Sequence, residues 1–295
     1  MEGLQATSGA VVNALAAFFT LFGEEMILVL ILGFLYWCWD KENGKQLGLL
    51  IVTGVVLNPL IKNIAVRRRP YFDHKGIKCL KPVDSGADIY DIAAQGYSFP
   101  SGHSMNAAIV YGGEARYKKT RVWTVIGIAA PLLVGISRVF VGVHYPTDVL
   151  VGWLAGFLVV LLFSWLQKKV KKRWLLHLVI FAVSAVGVFY CRTNDYYSAL
   201  GLMAGYFLTV PFEERYVNFE NAHRPLPCIC RMLGGLVVYL GLNTLLKLPF
   251  PASVLETPGT LAYMIRFLRY TIVSFAALGL YPLLFNRFKI FSDKE

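Results

Sequence analysis

DVLVGWLAGFLVVLLFSWLQKKVKKR, Asp148 to Arg173, decides how the rest of the chain is read. Nineteen uncharged residues separate Asp148 from Lys168, and five of the next six residues are Lys or Arg. A run of that length matches the ~20 residues with which a helix crosses a hydrocarbon core. The basic cluster behind it marks a cytoplasmic boundary, where Lys and Arg accumulate.

Similar runs recur on both sides, at roughly 23–38, 46–66, 101–117, 122–141, 174–190, 197–212, 230–246 and 267–286. With 148–167 they predict an all-α fold, a polytopic transmembrane helical bundle of about nine spans. Composition agrees: 56% of the 295 residues are hydrophobic and 16% charged, and the mean hydropathy is +0.54. Residues 8–21 are apolar but too short to cross, so 1–22 reads as an N-terminal interfacial or re-entrant helix; a tenth, tilted span fused to the first is the competing reading. The first Lys or Arg is Lys41, so no cleavable signal peptide is expected.

The five cysteines, Cys38, Cys79, Cys191, Cys228 and Cys230, are scattered. They suggest no disulfide framework, and Cys228-x-Cys230 without a second Cys or His pair gives no metal site. No nucleic-acid partner is expected; the expected partners are membrane lipids.

Alternate connections differ in charge. Residues 39–45, 114–121, 168–173, 213–231 and 287–295 hold 17 Lys and Arg, against 9 in 67–100, 191–196 and 247–266. The positive-inside rule places the first set in the cytoplasm and the N-terminus outside. Residues 67–100 carry six of those nine cations outward, and an anion is the reason to hold them there.

Polar residues gather at that same expected outer face in three stretches. KNIAVRRRP, Lys62 to Pro70, puts Lys62 and Arg69 seven apart, on one helical face if the helix runs that far. An ammonium and a guanidinium converging there suit a phosphoryl group; snorkelling cations are the plain alternative. Asn58-Pro59 predicts a kink that aims Lys62 inward. YSFPSGHSMNAA, Tyr97 to Ala108, sets a turn at Pro100 and starts a helix at Ser101 or Gly102. Its free amides and dipole would cradle an anion with His103 beside them, or it is an ordinary helix cap. SRVFVGVHYPTD, Ser137 to Asp148, carries Arg138 near a span end, costly unless it binds something. It also spaces His144 and Asp148 four apart, so the carboxylate can orient the ring and leave the other nitrogen to attack. Glu24 and Glu25 open the first span, favourable to the helix dipole or poised to pair with Arg67 or Arg68. The 71–97 loop, with His74, Lys75, Lys78, Cys79 and Lys81, is long enough to cover the site or to remain a solvated loop.

At these residues the chain resembles the type 2 phosphatidic acid phosphatase (PAP2) superfamily, whose pattern is K-x6-RP, PSGH and SR-x5-H-x3-D. Lys62, Arg69-Pro70, Pro100 to His103, Ser137-Arg138, His144 and Asp148 match it in order. The resemblance covers roughly 46–167, so 23–167 becomes the expected catalytic membrane core and 168–295 additional C-terminal transmembrane helices. It implies a metal-independent, cofactor-free phosphatase. His144 would attack phosphorus, Asp148 would polarise it, and His103 would protonate the leaving oxygen. Lys62, Arg69, Arg138 and the Ser101 and Gly102 backbone would bind the phosphoryl oxygens. The membrane setting points to a lipid phosphate at the extracytoplasmic face of a bacterial plasma membrane: phosphatidate, a polyprenyl (di)phosphate, phosphatidylglycerophosphate or a sphingoid phosphate. A soluble ester, as for glucose-6-phosphatases, and a non-enzymatic lipid carrier or flippase are the alternatives.

Overall fold

The computed structural model describes residues 1–7 and 9–293; Ser8, where the expected 8–21 helix begins, and the last two residues lie outside the described set. The chain is all-α, with no strand among the described residues. Its helices are α1 (Glu2–Thr7), α2 (Ala10–Thr20), α3 (Glu25–Phe34), α4 (Lys41–Ala65), α5 (Pro70–Asp73), α6 (Ile92–Gln95), α7 (Gly102–Lys118), α8 (Arg121–Phe140), α9 (Pro146–Lys169), α10 (Arg173–Ala185), α11 (Asn194–Phe212), α12 (Pro225–Leu245), α13 (Ala252–Glu256) and α14 (Thr260–Phe275).

Helix occupies all nine segments expected to be spans. Five stretches among the described residues have the length and apolarity of a crossing on their own, and a sixth if Val11–Gly23 and Glu25–Trp39, bent by 49°, form one span. Arg173–Phe189 is apolar but shorter. Helix α7 falls outside this set: it is 17 residues long, and it buries the polar Ser104, Asn106 and Glu114.

Two compact units form, Met1–Leu28 with Leu57–Lys169, and Val29–Val56 with Val170–Glu295. The first unit ends at Lys169, and Val29–Val56 clusters with the C-terminal helices. In the first unit α7 is the central helix, buried from Ser104 to Glu114 and packed on α8 and α9. Gly152 and Gly156, one turn apart on α9, make the close approach possible: a Cβ there would lie 2.7 Å from the Ser101 carbonyl and 2.6 Å from that of Met105. Small residues at this spacing are what pack helices in a bilayer, where apolar contact with a neighbour gains little over contact with lipid. The opposite face of α9 exposes Leu150, Leu154, Leu158, Leu161 and Leu162, while Ser101, Ser104 and Asp148 are buried. Apolar outside and polar inside is the distribution that hydrocarbon solvent selects.

In the second unit α11 packs along α14, with Gly201 and Gly205 against the Phe267 and Thr271 carbonyls. One end is tied by ions: buried Glu213 lies 2.8 Å from both Lys41 and Lys45. Arg231 lies over the Phe285 ring at 4.2 Å within a cluster of Tyr36, Trp37, Phe219 and Tyr281.

Candidate active site

The turn from α8 into α9 carries the first pair of expected site residues. Gly142 adopts φ +79°, and a Cβ on it would meet the Lys78 carbonyl at 2.2 Å. Leu80 donates from its backbone to Val141, so the turn is fastened to the 71–97 loop. Gly142→Ala is therefore expected to lower the melting temperature in detergent, by about 1–3 kcal/mol of left-handed strain and overpacking. An unchanged melting temperature would count against this account of the turn.

Past the turn, His144 and Asp148 are buried, with His144 Nδ1 3.5 Å from Asp148 Oδ2. The carboxylate is held from several directions. Oδ2 accepts the Tyr145 amide at 2.8 Å and the Ser98 hydroxyl, and Oδ1 accepts Arg67 Nη1 at 2.9 Å. Ser98 Oγ also lies 3.5 Å from His144 Nδ1. Arg67 is fixed in turn by Thr147 Oγ1 at 2.7 Å and by the Tyr145 ring, 3.9 Å below its guanidinium. Nδ1 thus faces the carboxylate and the hydroxyl, which leaves Nε2 as the nitrogen able to act. Burial, then the charges of Arg69, Arg138 and Lys62, hold the His144 imidazole well below its ordinary pKa, so the neutral ring is favoured.

The start of α7 brings the second set. Ser101 is its N-cap, with Oγ accepting from the Ser104 amide at 3.4 Å and the Ser104 hydroxyl at 2.9 Å. The backbone amide of Ser101 donates to the Asp148 carbonyl at 3.0 Å. This corrects the expected cradle: Ser101 joins α7 to α9, and the Gly102 and His103 amides are the ones at this end with no protein acceptor among the described residues. Asn58 supports the turn, donating to the Pro100 carbonyl at 3.2 Å, and its Oδ1 lies 3.2 Å from where a Gly102 Cβ would stand. Any side chain at Gly102 would crowd that contact and the approach to the amides.

The three expected cations arrive by different routes. Helix α4 ends at Ala65 and Val66 turns to φ 48°, so Lys62 and Arg69 do not share a helical face. Arg69 is the extended residue before α5, as the steric demand of Pro70 on its predecessor requires. Both charges nonetheless act on His103 and His144, as does Arg138. Arg69 also serves as a brace, donating from Nε to Gln95 at 2.9 Å, from Nη2 to Gln95 at 2.6 Å and from Nη1 to Val143 at 3.1 Å, in each case to the carbonyl. Arg138 Nη1 donates to Thr20 Oγ1 at 2.7 Å, while its buried Nε has no acceptor among the described residues. A buried guanidinium with an unmet donor wants an anionic oxygen.

The 71–97 loop is largely exposed, His74 included, and is pinned from within at Gln95. Buried Gln95 accepts from the Val83 amide at 2.9 Å and donates to the Asp84 carbonyl at 2.8 Å. The N-terminal segment packs beside the site without the expected partners. Glu24 pairs with Lys81, Arg67 with Asp148 and Arg68 with Asp73. Contact with α7 and α8 includes Thr20, the Phe22 carbonyl, which accepts the Tyr111 hydroxyl, and Gly23, where a Cβ would lie 2.9 Å from the His103 carbonyl and 2.8 Å from Val134 Cγ1. Ser98, Arg67, Asn58, Thr20 and Gly23 are the neighbours that spacing did not announce.

All eight expected site residues lie in the first unit, on α4, α7, α8, α9 and the connections before α5, α7 and α9. Comparison with known proteins gives the same stretch a family. The PAP2 superfamily sequence model matches residues 44–172, and one described as the PAP2 superfamily phosphatase transmembrane extension matches residues 197–294. A phosphatidylglycerophosphatase B of Bacillus subtilis is 35% identical over 144 residues, 45% of this chain and 61% of that protein. An undecaprenyl-diphosphatase of Sulfolobus acidocaldarius is 30% identical over 151 residues, 50% of this chain and 66% of that protein. A lipid A 1-phosphatase of Rhizobium johnstonii is 33% identical over 118 residues, 38% and 43% of the two chains. The chain spans less than two thirds of the length of these relatives. No solved structure matches it significantly.

Proposed function

The chain belongs to the PAP2 superfamily, and from that premise we propose that it is a metal-independent phosphatase of a membrane lipid phosphate, working through a phosphohistidine. The observation that carries the proposal is the gathering of His144, oriented by Asp148 and Ser98, with His103, three cations and two open amides of α7. Relatives named for phosphatidylglycerophosphate, undecaprenyl diphosphate and lipid A suggest a phosphate on an amphiphile. The apolar exterior of α9 supports the same setting. The distribution of Lys and Arg supports an extracytoplasmic site.

In the proposed reaction His144 Nε2 forms a bond to phosphorus as the bond to the lipid oxygen breaks. The electron pair leaves on that oxygen, which takes a proton from His103. Water then attacks the phosphohistidine, His103 accepts its proton, and inorganic phosphate departs as the P–N bond breaks. Phosphoryl transfer asks mainly for positioning and charge stabilisation. Here Lys62, Arg69 and Arg138 with the Gly102 and His103 amides supply the charge that a metal ion supplies elsewhere.

The test is phosphate release from a panel of lipid and soluble phosphate esters, with and without EDTA and vanadate. Release from lipid phosphates, insensitive to EDTA and inhibited by vanadate, is expected. Loss of activity on chelation overturns the metal-free mechanism, and preference for glucose 6-phosphate overturns the lipid substrate.

Arg67 and Ser98 act in this scheme only through Asp148. Arg67→Ala or Ser98→Ala is expected to lower kcat about 10- to 100-fold with KM little changed, since misplacing a reacting group by about an ångström costs that much. Arg67→Lys keeps the charge but loses the planar stack on the Tyr145 ring, and should recover only part of the loss. An increase in KM at constant kcat would assign Arg67 to substrate binding instead.

A further inference from the structure

The second unit carries a groove that the proposed reaction does not use. It opens between α10 and α11 with a volume of about 920 Å³. Helix α10 rests on α11 through His177, whose ring stacks on Phe207 at 4.5 Å and 3°. Buried Leu176 and Ile180 complete that side of α10, while Trp174, Leu178 and Leu208 line the groove or its rim with more than half of their surface exposed. Its walls are hydrocarbon-like along two turns of helix.

One end is cationic. Lys171, Lys172 and Arg173 line it, with Glu214 as the acid among them. The acid is already matched: Glu214 Oε1 lies 3.2 Å from both Arg173 and Lys45, and Arg173 also reaches Glu42 at 3.5 Å. Lys171 and Lys172 have no carboxylate partner among the described residues. Two uncompensated ammonium groups at the end of an apolar furrow are complementary to one kind of molecule, with an anionic head and hydrocarbon tails. A small anion would leave the furrow unfilled, and a neutral-headed lipid would leave the lysines unmatched.

We propose that this groove binds one anionic phospholipid, its headgroup at Lys171 and Lys172 and an acyl chain along Trp174, Leu178 and Leu208. None of the residues lining the groove is among the proposed site residues, all of which belong to the other unit.

The test is native mass spectrometry of the full chain in detergent with phosphatidylserine or phosphatidylcholine of identical chains. Phosphatidylserine carries no phosphomonoester and is no product of the proposed reaction, so its retention reports this groove. Retention of one phosphatidylserine, about thirtyfold tighter than phosphatidylcholine, is expected from two lysines that each contribute ~1 kcal/mol near a lipid surface. The double variant Lys171→Gln, Lys172→Gln should erase that preference, and Leu208→Trp, which fills the furrow and leaves the charges in place, should weaken both lipids. His144→Ala should bind phosphatidylserine as the wild type does, so a failed phosphatase reading leaves this result intact. Equal retention of the two lipids, or an undiminished preference in the double variant, overturns the proposal.

Discussion

His144→Ala is expected to abolish phosphate release from every substrate, by on the order of 10⁴-fold or more, because the side chain proposed to take up the phosphoryl group is gone. The loss should be independent of the leaving group, unlike that of any residue acting on the departing oxygen. Wild-type protein quenched during turnover should carry an acid-labile phosphoryl group, and His144→Ala should carry none. The geometry bears on pH as well. Burial and three nearby cations favour the neutral imidazole, so in the free enzyme the nucleophile is ready below the ordinary histidine value of about 6.5. The acid limb of kcat/KM assigned to His144 should therefore lie below pH 6.5, since that ratio reports the free enzyme. The same shift couples to folding. The unfolded chain takes up a proton near pH 6.5 that the folded chain refuses, so this contribution to stability is present above that pH and lost as pH falls toward the folded value. Persistent turnover in His144→Ala would sink the phosphohistidine mechanism, and an acid limb above pH 6.5 would contradict the electrostatic account of His144.

The candidate site residues were legible where their spacing is local. His144 and Asp148 lie one turn apart in the chain and meet across 3.5 Å. Gly102 opens a helix, as a turn at Pro100 followed by a run of helix formers requires. Partners distant in sequence were not legible. Nothing in the spacing pairs Ser98 with Asp148, Asn58 with Pro100, or Arg138 with Thr20, which lie 50, 42 and 118 residues apart. Periodicity also misled where backbone geometry overruled it. Lys62 and Arg69 fit one helical face by count, but Pro70 forbids its predecessor the helical conformation and Val66 has already left the helix. The charges converge through a turn instead. Spacing likewise could not show that the Ser101 amide is spent on α9 while capping satisfies the Ser104 amide. Apolar length likewise identified α8 and α9 as span-like helices. It could not show that α7, the central helix of the first unit, would be held by glycine contacts on α9 rather than by its own apolarity.

The second large effect is expected at His103. His103→Ala removes the titratable donor proposed to protonate the leaving oxygen, and turnover of a lipid phosphate should fall about 10²- to 10⁴-fold, the usual range for a general acid. The loss should shrink as the leaving group becomes more acidic. An alkoxide departing from a lipid needs a proton in the transition state, whereas nitrophenolate from p-nitrophenyl phosphate leaves largely without one. Comparing the two substrates separates His103 from Arg138, whose buried guanidinium would act on the phosphoryl oxygens common to both. Arg138→Ala should slow both alike, and His103→Ala should slow one far more than the other. The imidazole also stands where Gly23 closes on the His103 backbone, so its position depends on the N-terminal segment. Gly23→Val, with its side chain forced against the His103 carbonyl and Val134, should reproduce part of the leaving-group dependence while keeping the histidine. If His103→Ala slows nitrophenyl and lipid phosphates equally, His103 binds phosphate and the proton comes from elsewhere.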